Sequence, residues 1–115
     1  IYTHSLHDAL PISMPEMNEV AKQFTEEWNK IHPDKAPNVN CALGYDCYIM
    51  LKDAIERAGS ADPAKIRDAL ETVKDLPTVT GMTTINATHD AEKDMGIVEI
   101  RDGKKQFIGI VKPEV

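Results

Sequence analysis

Several things are scarce in this sequence, and each scarcity removes a class of protein. Only two cysteines stand among its 115 residues, which excludes a small fold held together by disulfides. Basic residues are outnumbered, 13 against 19 acidic ones, for a formal net charge of -6. A chain of that balance has no basic stripe with which to displace counterions, so nucleic acid is not an expected partner. No apolar run approaches the roughly 20 residues needed to cross a bilayer as a helix. Low-complexity tracts and internal repeats are absent as well, which excludes solenoids and disordered linkers. What is present is an ordinary globular composition, 42% apolar and 28% charged, at a length that suits one domain.

The first thirteen residues stand apart. Ile1 to Ser13 contains no lysine or arginine and holds two of the four histidines. It has neither the basic start nor the uninterrupted apolar stretch of a secretory signal, and no lipobox cysteine. Residues 1–12, His4 excepted, resemble the in-frame translation of a common sequencing-library adapter. The stretch is therefore read as a non-native leader, set aside as a fusion scar would be. The His4-x-x-His7 pair within it lacks the further Cys, Asp or Glu that a four-ligand metal site requires.

From Met14 the apolar period is helical. Met17, Val20, Ala21, Phe24, Trp28 and Ile31 fall on one stripe, with a capping box at Ser13 to Glu16 and an end before Pro33. Pro33 to Asn38 reads as a loop. A second helix is expected from Cys41 to Ala58, with Asn38 or Asn40 as its cap and Gly59 as its stop. Its core stripe is read as Leu43, Cys47, Met50, Leu51, Ala54, Ile55 and Ala58. A third helix starts at Asp62-Pro63, a good cap followed by proline at the first helical position, and buries Ile66, Ala69, Leu70 and Val73.

After Pro77 the pattern changes. Val79 to Asn86 is rich in β-branched residues and reads as a strand, with Gly81 marking a bulge or a close backbone approach. Ala87 to Asp94 reads as a loop. Ile97 to Arg101 and Gln106 to Val111 flank Asp102-Gly103, a hairpin signal. Three helices, one strand and a hairpin leave broad apolar stripes without the buried parallel strands that normally lie beneath them. The chain has the look of an outer layer of a larger α/β protein.

Candidate chemistry is sparse. Tyr45 and Asp46 are adjacent on a helix and do not face each other, and Asp46 is explained by the helix dipole. Cys41 and Cys47, six apart on a helix, point different ways and are expected as free thiols. Neither has a partnered histidine nearby to make it a nucleophile, so no catalytic residue is assigned. His89, Asp90 and Glu92 fit no calcium-loop spacing and read as a solvated loop, so no metal site is assigned. No cofactor is implied.

Ala42-Leu43-Gly44-Tyr45-Asp46, leading into Ala54-Ile55-Glu56-Arg57-Ala58-Gly59, resembles the C-terminal third of the solute-binding proteins of branched-chain amino-acid type ABC transporters. Asp62-Pro63 with Ile66-Arg67-Asp68-Ala69-Leu70 is similar to that family's next helix. Val79-Thr80-Gly81 and the run from Lys93 through Ile97 to Lys104 are similar to its closing strands. Residues 14 to 112 carry these motifs in order.

The resemblance implies an α/β fold of two Rossmann-like lobes joined by three crossover strands, with a small solute clamped between them. On that reading this chain is a fragment: three helices, one crossover strand and a C-terminal β-hairpin, the parallel-sheet core largely missing. Residues 14–78 would be the helical layer of the N-terminal lobe, and 79–115 the crossover strand and the hairpin of the second lobe. The resemblance further implies extracytoplasmic capture of a branched-chain amino acid or similar solute, with ABC permease subunits as partners and no catalysis. The location would be the periplasm, or the outer face of a membrane through a lipoprotein anchor. Residues just before the Ala-Leu-Gly-Tyr helix face the cleft in the family, which makes Asn40 and its neighbour Cys41 the ligand-binding candidates. Asn40 equally suits a helix cap, and Cys41 a small buried position. A sensory domain of the same fold and a free-standing α+β interaction module are the alternative readings. Gene neighbours would separate transport from sensing, and a cooperative melt of the isolated chain would favour the module.

Overall fold

The computed structural model describes residues 15–112. Three helices come first, α1 (Glu19–Ile31), α2 (Val39–Ala58) and α3 (Pro63–Glu71). Five strands follow, β1 (Leu76–Thr78), β2 (Gly81–Ile85), β3 (Ala91–Lys93), β4 (Met95–Arg101) and β5 (Lys104–Val111). The strands make two antiparallel sheets, one ordered β1-β2-β3 and the other the β4–β5 hairpin.

The helix ends follow capping chemistry. Asn18 caps α1 by accepting from the Ala21 amide, so the helix starts later than the expected Met14. Ser13, half of the expected capping box, lies outside the described residues, as do His4 and His7. Asn38, not Asn40, caps α2, and Gly59 ends that helix in the left-handed region at φ 57°. Asp62 caps α3 by accepting from the amides of Ala64 and Lys65, with Pro63 behind it as expected. Arg57 fastens the end of α2 to α3: its guanidinium donates to the Ala69 carbonyl at 2.7 Å and the Thr72 hydroxyl at 2.8 Å.

The buried face of α2 differs from the expected stripe. Ala42, Asp46 and Ala54 are buried, while Leu43, Cys47, Leu51 and Ile55 are exposed. The helix is apolar on more than one side, so periodicity alone could not choose the packed face. Ala42, Ala21 and Val79 form the small core, with Met17, Val20, Phe24 and Ile49 packed around it. Ile31, expected on the buried stripe of α1, is 71% exposed.

The strand expected over Val79 to Asn86 is interrupted at its start. Val79 and Thr80 form a tight turn between β1 and β2, in a register that pairs Thr78 with Gly81. The segment expected as loop, Ala87 to Asp94, contains β3, which pairs with β2 from Ile85↔Ala91 to Thr83↔Lys93. The hairpin turns at Asp102 and Gly103, both at positive φ, 51° and 72°, as an Asp-Gly turn requires.

Gly81 is the close approach that the sequence suggests. Its φ is +131°, and a Cβ there would stand 3.2 Å from the Asp94 carbonyl oxygen and 3.3 Å from the Asp94 Cβ. Gly81→Ala is expected to cost about 1–3 kcal/mol from backbone strain. Urea denaturation of the two proteins measures it, and equal midpoints would refute the reading.

Candidate functional site

The start of α2 carries the two residues expected to meet a ligand, and the helix separates them. Asn40 is exposed in the first turn. Cys41 is half-buried, its amide held 3.1 Å from Oδ1 of the capping Asn38. Consecutive helical residues diverge by about 100°. Cys41 accordingly lines a groove of about 940 Å³ between α1 and α2, whereas Asn40 does not.

Aromatic rings run along that groove. Phe24 and Tyr45 lie 5.3 Å apart between centroids, Tyr45 and Tyr48 5.6 Å, and Phe24 and Trp28 6.0 Å, within the range of tilted aromatic pairs. Trp28 donates its indole N–H to the Lys35 carbonyl, which closes the loop after α1 onto the helix. Glu27 lies on the groove rim, and its side-chain hydrogen bond holds the Lys30 ammonium above its ordinary pKa.

A second constellation went unnoticed in the sequence. Asp46 is only 2% exposed, although it is charged. It lies in the middle of α2 rather than in its first turn, so the dipole explanation does not hold. Its Oδ1 accepts from the Val79 amide at 2.6 Å, and its Oδ2 accepts from the Thr80 amide at 3.3 Å, the Thr80 hydroxyl and Lys93 Nζ at 3.0 Å. Lys93 Nζ also donates to Thr80 Oγ1 at 2.7 Å, which closes a triangle of Asp46, Thr80 and Lys93. Beneath it, Thr78 Oγ1 reaches the Gly81 carbonyl at 2.8 Å and Thr83 Oγ1 at 3.1 Å, and Asn18 Nδ2 donates to the Thr78 carbonyl at 2.9 Å. One carboxylate thus joins α2, the β1–β2 turn and β3. The available clue was a lone aspartate sharing a helical face with Ala42, one turn earlier.

The other polar candidates are spent locally. Asn86 Oδ1 accepts from the amides of Thr88 and Asp90, Thr88 Oγ1 reaches the Asp90 carboxylate, and Asn86 Nδ2 donates to Glu92. His89 turns toward Glu71, 3.7 Å away. Cys41 and Cys47 are free thiols.

The β1–β3 sheet thus lies under a helical layer, with a separate hairpin beyond it. A family model described as periplasmic binding protein matches residues 9–105. The chain belongs to the periplasmic binding protein family. The match starts inside the adapter-like stretch. Among solved structures, the leucine-binding protein LivK of Thermotoga maritima is similar at 34% sequence identity with a TM-score of 0.70. The likeness covers 87% of this chain and 29% of the LivK chain, so the helices and sheets described above match part of the periplasmic-binding-protein fold. No curated protein matches the sequence. Against this family, the exposed faces of α2 and of the hairpin belong to a segment that spans less than a third of its relative's length.

Proposed function

We propose that this chain is the C-terminal part of an extracytoplasmic solute-binding protein. Its task is to capture a branched-chain amino acid or a similar small solute for import through an ABC permease. The observation that carries the reading is the likeness to a leucine-binding protein across 87% of the chain at 34% identity. Binding proceeds by closure of two lobes around the solute, without covalent chemistry or a cofactor, since closing surfaces bury a small ligand and expel water. The helical layer belongs to one lobe and the hairpin to the other. We put the passage between them at residues 94–96, later than the residue 79 expected from sequence, because β1, β2 and β3 form one sheet that ends at Lys93.

A graft tests the reading. Residues 14–112 of this chain, exchanged for the matching segment of the Thermotoga LivK, are expected to give a folded protein that binds leucine by calorimetry. A chimaera that melts cooperatively yet binds no branched-chain amino acid would refute it. Asn40 and Cys41 are the proposed solute contacts on this segment. In the chimaera, Asn40→Ala is expected to weaken leucine binding by about 3–10-fold, the loss of one hydrogen bond. Cys41→Ser should act more weakly, because Cys41 turns into the α1–α2 groove. Unchanged calorimetric affinity on losing the Asn40 amide would remove that residue from the site.

A further inference from the structure

Among the described residues, the β4–β5 hairpin is attached to the helices and the first sheet at few points. None of its residues is buried, and its two strands pair only with each other. Gly96 lies against the Met17 thioether: a Cβ on Gly96 would stand 2.8 Å from Met17 Sδ. The last backbone hydrogen bond to the first sheet before the hairpin runs from the Asp94 amide to the Met82 carbonyl, and it is long at 3.4 Å. One residue earlier stands Lys93, whose ammonium is fixed on Asp46 and Thr80 at 3.0 and 2.7 Å. Firm attachment ends and weak attachment begins within two residues.

We infer that Asp46, Thr80 and Lys93 are positioning residues that set the orientation of the hairpin relative to the helices. The triangle fixes the direction in which the chain leaves β3, and the hairpin beyond it has too little packing among the described residues to set its own direction. Asp46 carries the constraint from α2, because its other oxygen holds the Val79 amide and so the turn that precedes Gly81. Gly81 carries it onward, since its missing side chain lets Asp94 pass close by. The use of this device in lobe closure rests on the solute-binding reading; the device itself is tested without any solute.

The test measures residual dipolar couplings of backbone amides in the 115-residue chain and its variants, all carrying Leu51→Glu and Ile55→Lys so that the exposed apolar face of α2 does not draw copies together. In the native chain, the amides of β4 and β5 are expected to share one alignment with those of α2 and α3. Lys93→Met is expected to reduce the couplings of the hairpin roughly twofold or more while those of α2 and α3 stay unchanged, as a shift in the population of orientations would. Lys93→Arg restores them, because a guanidinium can reach the same two oxygens. Thr80→Val, which removes one corner and keeps the volume, acts in the same direction as Lys93→Met but less. Hairpin couplings that do not respond to Lys93→Met would overturn the inference. So would couplings that fall equally in helices and hairpin, which a merely structural role produces. Failure here leaves leucine binding by the chimaera untouched, so the two readings fail separately.

Discussion

Asp46→Ala is expected to lower the folding stability of the LivK graft by about 3–5 kcal/mol, the range for removing one partner from a buried ion pair. Three losses add. The amides of Val79 and Thr80 lose their acceptor at positions where water has little access, 0% and 8% exposed. Lys93, with its side chain 22% exposed, loses its counter-charge. The β1–β2 turn also loses what makes it possible with two β-branched residues in place of the usual glycine or asparagine. Asp46→Asn keeps the shape but offers one acceptor and an NH2 to a site populated by donors, so it should cost more than half as much. The double variant Asp46→Ala with Lys93→Met should cost less than the sum of the two single changes, because the stranded charge is removed with its partner. Equilibrium urea denaturation reads all of these. A loss under about 1 kcal/mol for Asp46→Ala would mean that water or another donor replaces the carboxylate, contrary to the burial of the site.

That carboxylate also explains what was legible in the sequence and what was not. Helix caps and the Asp-Gly turn are local: Asp62, Gly59 and Asp102-Gly103 each act within a few residues, and all appear where the sequence puts them. Val79-Thr80 looks like strand because β-branched residues favour strands, yet a side chain 33 residues upstream supplies the acceptor that turns the chain there. β3 was illegible for a similar reason. Ala91, Glu92 and Lys93 have no apolar alternation, and they pair with β2 because Lys93 finds a carboxylate on α2. The candidate site divides in the same way. The start of α2 was readable from motif likeness, while the triangle depends on contacts between residues distant in sequence.

The face of α2 whose spacing predicts core carries the second large effect. Leu43, Leu51 and Ile55 are spaced along one side of the helix with Tyr48 beside them, all exposed, and among the described residues no buried side chain is larger than valine. Small side chains have been buried and large ones left outside. The Cα radius of gyration, 16.0 Å, exceeds the roughly 13 Å of a compact domain of this length. Contiguous apolar surface of this kind associates in water. The 115-residue chain is therefore expected to self-associate at micromolar concentration, and Leu51→Glu with Ile55→Lys to weaken that association roughly 30–100-fold, the equivalent of about 2–3 kcal/mol of apolar contact. Sedimentation equilibrium measures it. In the LivK graft the same pair of substitutions should do the opposite: on the proposed two-lobe reading the rest of the lobe covers that face, two charges would be buried, and folding and leucine binding should both be lost. A graft that tolerates the two charges would place α2 on the outside of the complete protein. An isolated chain that stays monomeric without them would show that this surface does not drive association by itself.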